Sequence, residues 1–162
     1  MGIVVAQPDG RLGILEAGPD AHPHVYVLDL NARLHCFKGR IFVRRLNCPL
    51  TCTQSARLTE FALAQVGKRY ALGRFLRQIT PFRARGALRS KWFGATNYNS
   101  KRWICSDLVA AALAYAGLTD PELMPANIVY PRDFLDNRYY DLHRWDAAAL
   151  WSSVPLCLRR IQ

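Results

Sequence analysis

Residues 105–117, CSDLVAAALAYAG, decide how this chain is read. Cys105, Leu108, Val109, Ala112, Leu113 and Ala116 recur at helical spacing along one face, and Gly117 follows as a stop signal. The spacing predicts a buried helix that begins on a cysteine. At a helix N-terminus the unpaired N–H groups and the dipole favour a thiolate, so an ordinary cysteine pKa of about 8.5 can fall well below that value. Such a position suits a nucleophile. A small cysteine at the head of an apolar stripe also serves as plain core.

Upstream, residues 2–7 (GIVVAQ) and 11–18 (RLGILEAG) read as short strands joined by Pro8-Asp9-Gly10, so a hairpin opens the chain. Residues 25–28 (VYVL) and 41–46 (IFVRRL) predict two further strands, and the intervening LNARLHCFKG a helical turn closed by Gly39. Residues 53–66 fit a helix with Leu58, Phe61, Ala62 and Val66 near one face and Gly67 as its end. Strands come first and helices after, which predicts an α+β domain with an antiparallel sheet packed against the Cys105 helix. With 162 residues, 51% hydrophobic and 21% charged, one sizeable core and a single domain over 1–162 are expected, and disorder is excluded. No run approaches the roughly 20 apolar residues of a spanning helix, and the first residues do not resemble a secretory signal.

Charge is regional. No Asp or Glu lies between Glu60 and Asp107, a window that holds ten Lys and Arg, whereas the other twelve are matched by the twelve acids of the chain, so the window carries the whole net charge of +10. Its attraction is for anions: phospholipid headgroups, an acidic polymer or an acidic partner. From Tyr70 to Trp103, Arg interleaves with Phe75, Phe82, Trp92, Phe93 and Tyr98, and Pro81 breaks any single helix. A helical excursion plus loop is expected there, either a cover whose aromatics plug the core or a binding surface. The run 149–158 (ALWSSVPLCL) reads as packing, with Cys157 in the core.

The five cysteines lack the regular spacing of a disulfide framework, which points to a reducing compartment and at least one free thiol. Cys48-Pro-Leu-Thr-Cys52, with Cys36 and His35 nearby, makes a poor metal site because no second close pair exists, and no metal is expected. No P-loop, Gly-x-Gly-x-x-Gly or Gly-x-Ser-x-Gly string occurs, so no cofactor is called for.

The string RWICSDLVAAALAYAGL resembles the nucleophile helix of NlpC-type cysteine peptidases and amidases, and QVGKRYALG resembles that family's Gly-x-x-Tyr element. A GIVV hairpin followed by LEAG, both ahead of the cysteine, with VYPRDF behind it, resembles the circularly permuted, YiiX-like branch related to lecithin retinol acyltransferase. The resemblance covers most of residues 2–135. It implies a permuted papain-like fold in which Cys105 is the nucleophile, Glu16 orients the imidazole, and Tyr70 and Ser106 lie at the substrate. Substrates would be amides, esters or thioesters, such as a peptidoglycan peptide or a lipid, with an anionic membrane surface as a further partner and nucleic acid disfavoured.

One departure matters. In that branch the general-base histidine stands immediately before the Val-Gly-Ile of the first strand, whereas this chain begins Met1-Gly2-Ile3. The favoured expectation is a true start further upstream, through Ser-His, with Met1 standing where the family has valine; such a segment would also leave export or envelope association open for a chain that as given reads as cytoplasmic. The alternatives are service by His22, His24, His35 or His143, or a non-catalytic binding module that uses the Arg and aromatic segment 68–103 on an anionic membrane surface or a nucleic acid.

Overall fold

The computed structural model describes residues 1–18, 23–73 and 94–151. It is mixed α+β. Strand β1 (Gly2–Ala6) turns into β2 (Leu12–Ala17) through Gly10, whose φ of +80° a side chain would resist, while the Asp9 carboxylate accepts the Arg11 N–H. β3 (Val25–Asp29) completes a three-stranded antiparallel sheet in the order β1-β2-β3. The register sets Leu15 between Ile3 and Val27, and Glu16 between Gly2 and Tyr26. Since side chains alternate across a strand, the Leu15 row faces the core and Glu16 faces the other way.

Asp29 ends β3 and caps α1 (Leu30–Cys36), its carboxylate accepting the Ala32 N–H. The predicted Gly39 stop is corrected: α1 ends at Phe37, whose N–H bonds the Arg33 carbonyl, and Gly39 keeps a negative φ. α2 (Cys52–Gln65) starts on a capping box between Thr51 and Gln54. It buries Leu58, Phe61, Ala62 and Gln65, whereas Val66, expected on that face, is 48% exposed. The helix has already ended there, and Gly67 at φ +82° reverses the chain.

That reversal lays residues 67–70 along the edge of β3: Gly67 and Val25 exchange hydrogen bonds with the Val25 and Lys68 carbonyls, and the Tyr70 N–H reaches the Pro23 carbonyl. β5 (Arg69–Tyr70) then pairs in parallel with β6 (Arg102–Trp103), Tyr70 opposite Trp103. Directly after β6 comes α3 (Cys105–Tyr115). Its residues 106–114 are buried all round, not along one stripe as expected, because alanines at 110, 111, 112 and 114 let neighbours approach every side. Two 3₁₀ turns follow, η1 (Ala126–Ile128), packed on α3, and η2 (Pro131–Phe134), where the Asp133 carboxylate accepts the Tyr130 N–H.

Of the strand predicted over 41–46, only β4 (Phe42–Val43) forms, paired with β7 (Ala149–Leu150). Of the run 149–158 only residues 149–151 are described, Ala149 and Leu150 exposed and Trp151 half-buried; Cys157 lies outside the described residues, as do positions 74–93 of the Arg and aromatic segment. Beside β4, the Arg44 guanidinium donates to the carbonyls of Phe134, Leu142, Trp145 and Asp146 and to Asn137 Oδ1, tying residues 134–146 down. Burial there pulls its pKa below the usual guanidinium value. Among the described residues, no helix is long and apolar enough to cross a membrane.

Candidate active site

The pairing of Tyr70 with Trp103 brings an edge residue of the sheet to within two positions of Cys105 along the neighbouring strand. Trp103 is locked there: its indole N–H donates to Gln65 Oε1 at 3.1 Å, and its ring meets Phe61 edge-on at 6.0 Å between centroids. Lys68 Nζ donates to the same Gln65 oxygen at 2.7 Å, so one buried amide holds both the end of α2 and the strand that delivers Cys105.

Cys105 is half-buried at the first position of α3. Ile104, the residue before it, is not a capping type, so the first N–H groups of the helix have no side-chain cap. The backbone N–H groups of Ser106 and Cys105 and the positive charge of the Met1 α-amine favour the thiolate. These pull the thiol pKa down, yet burial outweighs them and the Asp107 carboxylate adds to the rise, so the thiol lies above the ordinary cysteine range. The depression expected from a helix N-terminus is therefore corrected: desolvation wins.

Burial, reinforced by the negative charges of Cys105 and Asp107, pushes the Tyr70 hydroxyl up to about 12. Its phenol thus keeps its proton at neutral pH. Ser106 takes part through its backbone, because its side chain is 0% exposed and cannot touch a ligand in this conformation. Asp107, equally enclosed, had no role assigned from the sequence; its place two residues past the cysteine inside an apolar run was the available signal.

Glu16 does not reach the thiol. It is 8% exposed, on the sheet face turned away from the core, and its Oε2 accepts Arg33 Nε at 2.8 Å. Arg33 was missed by the sequence reading, where i, i+17 pairing of a strand and a later helix leaves no local mark. Nor does any described histidine act on Cys105. His24 forms a bridge with Arg69, His35 is exposed in the last turn of α1, and His143 pairs with Asp141 at 2.9 Å on the surface; His22 lies outside the described residues. Cys36, Cys48 and Cys52 are free and exposed, and among the described residues no cluster of His, Cys, Asp and Glu forms a metal site.

Compared with family models, curated proteins and solved structures, the chain matches none.

Proposed function

We propose that this chain is a permuted papain-like thiol hydrolase or acyltransferase of the YiiX-like kind, with Cys105 as its nucleophile. The observation that carries this reading is the convergence at the start of α3: a half-buried sulfur heads a helix without a side-chain cap, Tyr70 lies on the strand paired with the one that leads into the helix, and the Met1 α-amine favours the thiolate.

The reading takes its general base from the resembled branch, a histidine ahead of Met1. The Met1 α-amine, which acts on the Cys105 thiol, marks the end of β1 from which that histidine would be delivered. An imidazole there takes the thiol proton, and the sulfur adds to the carbonyl carbon of an amide, ester or thioester. The imidazolium protonates the departing amine, alcohol or thiol as its bond to carbon breaks; water or an amine then releases the acyl group and restores the thiol. In this reading the Ser106 N–H and Tyr70 hydroxyl serve as donors to the developing oxyanion. Glu16 Oε1, without a partner among the described residues while Oε2 holds Arg33, is the acceptor that fixes the imidazole. A raised resting pKa agrees with a thiol that needs such a base.

The test compares the chain as it stands with one carrying Val for Met1 preceded by Ser-His. Turnover of amide, ester or thioester panels by the extended chain, abolished by Cys105→Ser, is expected. A folded extended chain that is inert on every panel overturns the reading. The second reading, a binding module with a structural Cys105, is favoured by the elevated thiol pKa and predicts salt-sensitive binding to anionic vesicles that Cys105→Ser leaves unchanged.

A further inference from the structure

β1 is an edge strand, with β2 its one strand partner among the described residues. Beside it lies a groove of about 670 Å³ lined by residues of β1, β2, α1, β4 and α3. Its walls are apolar, among them Ile3, Val4, Phe37, Phe42, Leu113 and Trp145, and Val4, Phe37 and Phe42 are left exposed there. Soluble chains seldom leave contiguous apolar surface bare without a use, and the volume falls in the range of small-ligand sites.

The charges on the groove are four arginines, Arg33, Arg40, Arg44 and Arg45, against the single carboxylate of Glu16. Arg33 is spent on Glu16, and Arg44 on carbonyl groups. Arg40 and Arg45 are exposed and have no acidic partner among the described residues. Two free guanidinium groups beside an apolar trough complement a ligand with an uncharged tail and one anionic end. A methylene chain asks nothing of the walls in hydrogen bonds, and a carboxylate suits the planar fork of arginine.

We propose that this groove binds a single-chain amphiphile with an anionic head, a long-chain fatty carboxylate, its tail along β1 and its head between Arg40 and Arg45. The proposal is independent of the thiol chemistry, since Cys105 does not line the groove.

Calorimetric titration of the full chain with tetradecanoate, below its micelle concentration, tests it against octanoate, tetradecanol and phosphatidylglycerol vesicles. One tetradecanoate per chain is expected, bound at least about tenfold more tightly than octanoate because the longer tail buries more methylene groups. The double variant Arg40→Gln, Arg45→Gln should weaken tetradecanoate by about tenfold and leave tetradecanol unchanged. Phe42→Asp, which puts a carboxylate in the wall, should abolish binding; if it unfolds the chain, the arginine double variant, made of exposed residues, still decides. Equal affinity for octanoate and tetradecanoate, or for tetradecanol and tetradecanoate, overturns the proposal. So does binding to vesicles alone, which marks a membrane-facing surface, and so does binding that appears only when the chain is ended at Trp151, which means that its own residues fill the groove.

Discussion

α2 opens on Thr51, whose hydroxyl accepts the Gln54 N–H while the Gln54 side chain accepts the Thr51 N–H; α3 opens after Ile104, which has no side-chain acceptor to offer. The first helix closes its loose N–H groups locally and keeps one face in water. The second is enclosed on all sides and has no side-chain cap on its first N–H groups. Both join one core, yet local signals stabilise α2 and tertiary packing stabilises α3. Local stabilisation is missing at the point where chemistry is proposed, which is the expected place for a fold to set its own rules aside.

The largest effect that follows is in packing. Leu108→Ala, at a wholly buried position of α3, should cost about 3 kcal/mol, whereas Leu63→Ala, 52% exposed on α2, should change stability by less than about 0.5 kcal/mol. Urea unfolding measures both, and similar costs would break the contrast between the helices.

Next in size is an alkaline effect confined to the start of α3. Tyr70 ionises near 10 when unfolded and at about 12 when folded, so between those pH values the folded chain holds more protons and its stability falls as pH rises. The stabilisation is present below pH 10 and lost by about 12. The Cys105 thiol acts in the same direction from about its ordinary value upward. Tyr70→Phe should flatten the pH dependence of urea midpoints over that window, whatever it does to stability at pH 7; an unchanged slope would remove Tyr70 from the enclosed site.

Much of this arrangement was legible beforehand, for reasons that particular residues make plain. The hairpin follows from Pro8-Asp9-Gly10 between two alternating runs, and α3 from an apolar period that starts at Cys105. The motif that singled out Tyr70 held no geometry, and it is the parallel pairing of β5 with β6 that sets Tyr70 opposite Trp103. What stayed hidden depended on long-range placement. The thiol pKa is set by how deeply neighbours bury it, which no spacing encodes, and Glu16 is taken by an arginine from a later helix. Likewise, Gln65 looks like a solvated helix end in sequence but is buried because Trp103 and Lys68 both need its oxygen.

A smaller pair of substitutions sharpens the contrast between the helix starts. Thr51→Ala removes a capping hydroxyl and should cost about 1 kcal/mol. Ser106→Ala removes a buried hydroxyl that has no hydrogen-bond partner in the structure, so its expected cost is below about 0.5 kcal/mol, or a slight gain. A costly Ser106→Ala would mean that α3 has a polar anchor after all.

The smallest predicted effect bears most directly on the sulfur. Iodoacetamide consumes thiolate, so at pH 7 the half-buried Cys105 should label more slowly than exposed Cys36, Cys48 and Cys52, with its rate still rising with pH beyond the ordinary thiol range. Acetylating the Met1 amine removes the positive charge that now eases ionisation, and should slow Cys105 by a factor of about two to five while leaving the three exposed thiols unchanged. Peptide mapping by mass spectrometry separates the four sites. If Cys105 instead labels first, the helix N–H groups and the amine outweigh burial, and the uncapped start of α3 is an activated thiol without any histidine. If acetylation leaves its rate untouched, the Met1 amine does not act on the sulfur, and the case for an imidazole delivered from that end of β1 loses its footing while the packing contrast between α2 and α3 stands.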